Sequence, residues 1–177
     1  DILSGSGVLS ASGGPGASPA SGGGATAAGG GGRIALYAAD ASGFDLDRLT
    51  AHGGNGGAGP GAVGTVFLHG TPSQLLLDNH NTPVGAYTPL GQMDAAEFTA
   101  ETVILRGQGV VAAPITDVPL TVRRLELRDG AVLTHRPASE TETFFLAVTA
   151  TEAVVIDAVS AIDVTARGYL PGRTAGN

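Results

Sequence analysis

The chain has 177 residues, a formal net charge of −7 and a 42% hydrophobic share drawn mainly from Ala, Val, Leu and Ile, with 5% aromatics and no Trp. That suits one core of small, branched side chains, and the nine basic residues, all Arg, are not clustered into the basic surface that nucleic acid requires. Without Cys there is no disulfide, thiol nucleophile or thiolate metal site, and no apolar run nears the ~20 residues that span a bilayer, so the sequence argues against both nucleic-acid partners and membrane insertion.

The chain opens at Asp1 without a Met, a basic n-region or an apolar h-region, which places any export signal upstream or already removed. From there the apolar residues come in short runs bounded by Gly, Pro, Asp or Asn, the pattern of strands. It predicts strands over 7–11, 33–38, 48–51, 65–69, 74–78, 102–106, 110–113, 122–128, 131–134, 143–149, 153–157 and 161–166. One short helix is expected over 94–100, with Asp94 as N-cap and Glu97 three residues on.

Between Ser10 and Gly32 stand only small side chains, too little apolar area to offset a backbone ordering cost of about 1–2 kcal/mol per residue. The segment is therefore a flexible linker, or an extended layer in which missing Cβ atoms let backbones approach and hydrogen bond. Flanking strands favour the layer, ordered against a neighbouring block of sequence.

Three strand-turn-strand units share one pattern: "VILRGQGVVAA" (103–113), "RLELRDGAVLTH" (124–135) and "AVVIDAVSAIDVTA" (153–166). A second echo links "VLSASGG" (8–14) with "RLTAHGG" (48–54), placing Ala11 and Ala51 40 residues apart. Spacings of roughly 20–45 residues belong to arrays whose units touch only their neighbours. The expected fold is all-β: a right-handed parallel β-helix or β-solenoid with a glycine-rich extended layer. It forms a single block over 1–177 with the glycine-rich segment 12–32 inside it. Leu105, Leu127 and Ile156 should then stack as buried equivalents, with Val110, Val132 and Ile162 on the next face.

Chemically suggestive residues have simpler readings. "FDLD" sets Asp45 and Asp47 on one face of a strand, where two carboxylates suit weak Ca²⁺ binding or acid–base work, yet two exposed acids around a buried Leu46 explain the pattern equally well. His52, His69, His80 and His135 have no metal-ligand spacing. "DNHN" (78–81) reads as turn chemistry, with an Asn that also suits a ladder between stacked turns. No phosphate-binding glycine loop with Lys and no GxSxG elbow is present. The reading therefore assigns no catalytic, cofactor or metal residue, and no enzymatic activity.

Taken in order, "LSGSGVLSASGG", the glycine run, "GGRIALYAADASGFDLDRLTAHGG", "GAVGTVFLHG", "LLLDN", "LELRDGAVLTH" and "IDVTARGYLPGRTAGN" resemble the large, repetitive, glycine-rich surface or secreted proteins of bacteria, whose tandem blocks are taken as β-helical. The resemblance implies an extracellular or cell-surface location and a structural or adhesive role, and it carries no catalytic residues across. The expected function is a filament or surface assembly module joined head to tail with copies of itself or with adjoining blocks. The alternative is a carbohydrate-binding or carbohydrate-active β-helix engaging surface glycans. A cleft lined by aromatics, Arg and clustered acids would favour that alternative, whereas Tyr37, Phe44, Phe67, Tyr87, Phe98, Phe144, Phe145 and Tyr169 stand mostly in apolar runs that suggest core.

Overall fold

Short alternating runs cut by Gly, Pro, Asp and Asn become strands in the computed structural model, which describes residues 1–17, 24–70, 72–82, 84–85, 87–91, 100–115 and 117–172. The helix expected over 94–100 lies, apart from Ala100, outside the described residues. In chain order the strands are β1 (Ile2–Gly5), β2 (Leu9–Ser10), β3 (Arg33–Tyr37), β4 (Asp40–Phe44), β5 (Leu49–Thr50), β6 (Thr65–His69) and β7 (Gln74–Asp78). They continue with β8 (Thr88–Leu90), β9 (Thr102–Arg106), β10 (Val111–Pro114), β11 (Leu120–Arg128), β12 (Val132–Leu133), β13 (Val148–Ile156) and β14 (Ala161–Ile162). A 3₁₀ turn, Leu46–Arg48, lies between β4 and β5. The strand expected over 143–149 begins only at Val148, where Leu120 of β11 provides the first partner.

A six-stranded sheet in the order β13-β11-β9-β7-β6-β3 forms the centre, facing a four-stranded sheet, β14-β12-β10-β8, and two pairs, β1-β4 and β2-β5. Most pairs are parallel, but β6 and β7 run antiparallel, with Val66 opposite Leu76 and Leu68 opposite Gln74. The expected right-handed parallel β-helix or β-solenoid is therefore corrected: the sheets mix parallel and antiparallel pairing, and among the described residues the strands do not close into one solenoid. The cause is the connection 70–73. Four residues containing Gly70 and Pro72 suit a hairpin, whereas a parallel crossover takes a dozen or more.

The reversal splits the core. Alternate residues of a strand point to opposite faces, and on β7 Leu75 and Leu77 join one cluster while Leu76 packs against another. The first cluster includes Val103, Leu105, Leu125, Leu127 and Leu133; the second gathers Phe44, Leu49, Ala51 and Val66 with Ile34 and Leu36. Each half of the chain thus buries its apolar side chains against a different side of the shared sheet.

Within the second half the register follows the sequence units. Leu77, Leu105, Leu127 and Ile156 occupy one row, and Leu75, Val103, Leu125 and Val154 the row two residues back. The other expected row is shifted. Ala112, Leu133 and Ile162 align, while Val110 lies before β10. Four residues (107–110) join β9 to β10 but only three (129–131) join β11 to β12, and a one-residue difference moves every side chain by one position. The turns are also tied together: Asn79 Nδ2 donates to Gln108 O at 2.8 Å, and Asp129 N donates to Asp157 Oδ2 at 2.6 Å. Asn79 Oδ1 accepts from Asn81 N within its own turn, so this side chain serves as both turn residue and tie.

The glycine-rich passages pack on one another. Gly29 N donates to Gly14 O (3.0 Å), Gly54 N to Gly29 O (2.9 Å), Gly61 N to Gly54 O (3.0 Å), and Gly31 N to Ala62 O (2.9 Å). Bonds from one segment thus reach several neighbours, which makes a bundle and not a flat ladder. A Cβ added to Gly13, Gly16, Gly53, Gly56, Gly61 or Gly64 would fall inside 3.0 Å of another backbone segment. A net contribution of about 0.5–1.5 kcal/mol per hydrogen bond offsets much of the ordering cost. Among the described residues of the segment, contacts come from within it and from residues 51–64 of the same chain.

Candidate functional site

Asp45 and Asp47, expected side by side on a strand, diverge on the 3₁₀ turn. Asp45 caps it, with Oδ1 accepting from Asp47 N at 3.1 Å and Oδ2 lying 3.5 Å from Arg48 Nε. Asp47 turns away to Arg106 Nη2 at 3.4 Å, and Leu46 between them is exposed, not buried. The two carboxylates therefore do not form one ligand set. Among the described residues no three His, Asp or Glu side chains gather in a way that could hold a metal ion.

Asp78 is the centre of a tighter cluster. Its buried carboxylate accepts from Arg106 Nε at 2.7 Å and also from Arg106 Nη2, while Oδ1 accepts from His80 N at 2.8 Å. His80 Nε2 lies 3.1 Å from Leu49 O, a contact that needs the proton on Nε2. Partial burial works against the Arg106 charge, but the hydrogen bond and charge of Asp78, and then of Asp47, outweigh it and raise the guanidinium above its ordinary value. Asp47 and Leu49 precede the reversal between β6 and β7; Asp78, His80 and Arg106 follow it. The cluster joins the two halves, and its polar groups are committed to that task.

The other histidines stay apart. His52 Nδ1 contacts Gly53 O, His135 Nδ1 contacts Arg136 O at 2.7 Å, and His69 stacks with Tyr37.

Two surface features are not absorbed by internal contacts. The first is the side of the sheets formed by β13 and β14, each the last strand in its sheet. The apolar rows run onto it: Leu105 and Leu127 are 0% exposed but Ile156 is 42%, Leu125 is 0% but Val154 is 46%, and Leu133 is 0% but Ile162 is 40%. Expected burial therefore fails at Ile156 while its register holds.

The second feature is a pair of adjoining depressions that share Phe144. A cavity of about 650 Å³ is lined by Tyr87, Pro89, Ile115, Asp117, Arg136, Glu142 and Phe144. A smaller one of about 320 Å³ includes His135, Phe145 and Tyr169. Arg136 lies over the Phe144 ring at 4.1 Å, reaches Ile115 O from Nη1 at 3.4 Å, and stands 4.0 Å from Glu142 through Nη2. Four of the eight aromatic residues thus line one surface, where apolar patterning had suggested core. Adjacent Phe144 and Phe145 following "SETET" were the available signal, because an acidic, hydroxyl-rich approach suits a surface loop better than a buried strand.

Comparison of the chain with protein-family models, curated proteins and solved structures finds no match in any of the three.

Proposed function

We propose that this chain is a non-catalytic structural module of an extracellular or cell-surface protein, extended through its β13/β14 side by strands of a second copy or of an adjoining block. The observation that carries this reading is the emergence of three apolar core rows at Ile156, Val154 and Ile162. Full burial of such a side chain contributes about 1.5–3 kcal/mol, so covering each partly exposed one adds on the order of 1 kcal/mol. The nine-residue edge of β13 adds unpaired backbone groups, which proteins usually cover or blunt with charge. Here the edge carries Glu152 alone among charged side chains, and Glu152 lies 3.3 Å from Arg123 of the neighbouring strand.

Sedimentation of the purified chain over a range of concentrations tests the proposal. Self-association is expected, lowered at least tenfold in affinity by combining Val154→Lys with Ile156→Lys while the melting temperature stays within a few degrees. A wild-type chain that remains monomeric at its highest soluble concentration, and in a tandem fusion shows no added stability over the single copy, overturns it.

A further inference from the structure

We propose that the cleft between Tyr87 and Phe144 is a binding site for a neutral, hydroxyl-rich oligosaccharide. A sugar ring presents an apolar C–H face and a rim of hydroxyls, so a site for it combines an aromatic plate with fixed acceptors and donors. Tyr87 is partly exposed at the cleft and provides the plate. Asp117 and Glu142 provide carboxylate acceptors on the same lining. Arg136 provides donors whose position is set in advance. Its guanidinium is held by the Phe144 ring, by Ile115 O and by Glu142, and it has five N–H groups to distribute, so donors remain for a ligand.

The acidic partner is itself anchored. Glu142 N donates to Ser139 Oγ at 3.0 Å and Ser139 N donates to Glu142 O at 2.8 Å, closing the loop that carries it. Preset geometry of this kind lowers the ordering cost of binding.

Charge selects the ligand class. Among the described lining residues, two carboxylates and one guanidinium give −1 by count, which disfavours phosphates, uronates and acidic peptides. The volume of about 650 Å³ lies in the range of small-molecule sites, about 300–1,000 Å³. The adjoining depression continues the platform past Phe144 toward Phe145 and Tyr169, both exposed, which suits several linked rings better than one.

The test is an NMR titration of the full chain with cellohexaose, laminarihexaose and mannohexaose, and with hexagalacturonate as the acidic counterpart. At least one neutral hexasaccharide is expected to shift the resonances of Tyr87, Phe144 and Arg136. Tyr87→Ala should weaken that binding at least tenfold, Asp117→Asn should weaken it with an unchanged fold, and hexagalacturonate should bind at least tenfold more weakly. Absence of shifts with all three neutral probes, tighter binding of hexagalacturonate, or binding that survives both substitutions overturns the proposal. Self-association measured in the same samples reports separately on the β13/β14 side.

Discussion

Gly14 and Gly61 belong to the same glycine bundle, yet a methyl group would meet them differently. At Gly14 nothing lies within 4 Å of an added Cβ, whereas at Gly61 the added atom would strike the backbone of Gly29 and Gly30. Gly14→Ala is expected to leave stability within about 0.5 kcal/mol, while Gly61→Ala should cost about 1–3 kcal/mol or more, since packed backbone has little room to yield. Paired denaturant curves read the difference; equal effects would show that the bundle does not depend on close approach. A second residue-scale expectation concerns Asp157. The Asp129 amide, and then Ser160, hold its carboxyl below the ordinary carboxylate range. Because the folded value is the depressed one, this support is present above about pH 4 and is lost as pH falls through the folded value. The protection of the Asp129 amide, measured against its intrinsic exchange rate, should therefore fall on acidification below pH 4, and Asp157→Asn should flatten that dependence. At this scale the sequence was legible where one residue type has few uses, as with Asn79 in its turn. It was not legible for Asp45 and Asp47, because a strand and a 3₁₀ turn accept the same four letters.

The strands β9, β11 and β13 carry a row whose members differ only in cover. Leu105→Ala is expected to cost about 2–5 kcal/mol, as a fully enclosed side chain leaves a cavity. Ile156→Ala, in the same row but at the outer strand, should cost less than half as much in the isolated chain. Thermal unfolding of the two variants checks the ratio, and comparable losses would mean that the outer strand is already covered. The alignment of these strands was readable from spacing, since Leu105, Leu127 and Ile156 hold the same place in three similar units. The following row was not, because one extra residue in the 107–110 turn displaces it and nothing in the apolar pattern marks that residue as extra. Reading 65–69 and 74–78 as successive parallel strands failed for a different reason: the intervening length was too short, and length, not apolar pattern, decided the pairing.

For the whole molecule the two halves meet at β6 and β7, with the Asp47, Asp78 and Arg106 cluster fastening one to the other. The candidate cleft was illegible beforehand because its members come from three separate stretches, 87–89, 115–117 and 136–144, that only the packing of the strands brings together. The reversal at β6 and β7 has a directional effect. Strands β7, β9, β11 and β13 all point one way, whereas β6 and β3 point the other. Copies stacked by simple translation would bring the β13 edge of one against the β3 edge of the next with the two strands opposed, so each junction would repeat the internal reversal. A fibre grown this way would have a fixed polarity as an object, while its strands alternated direction in blocks along its length.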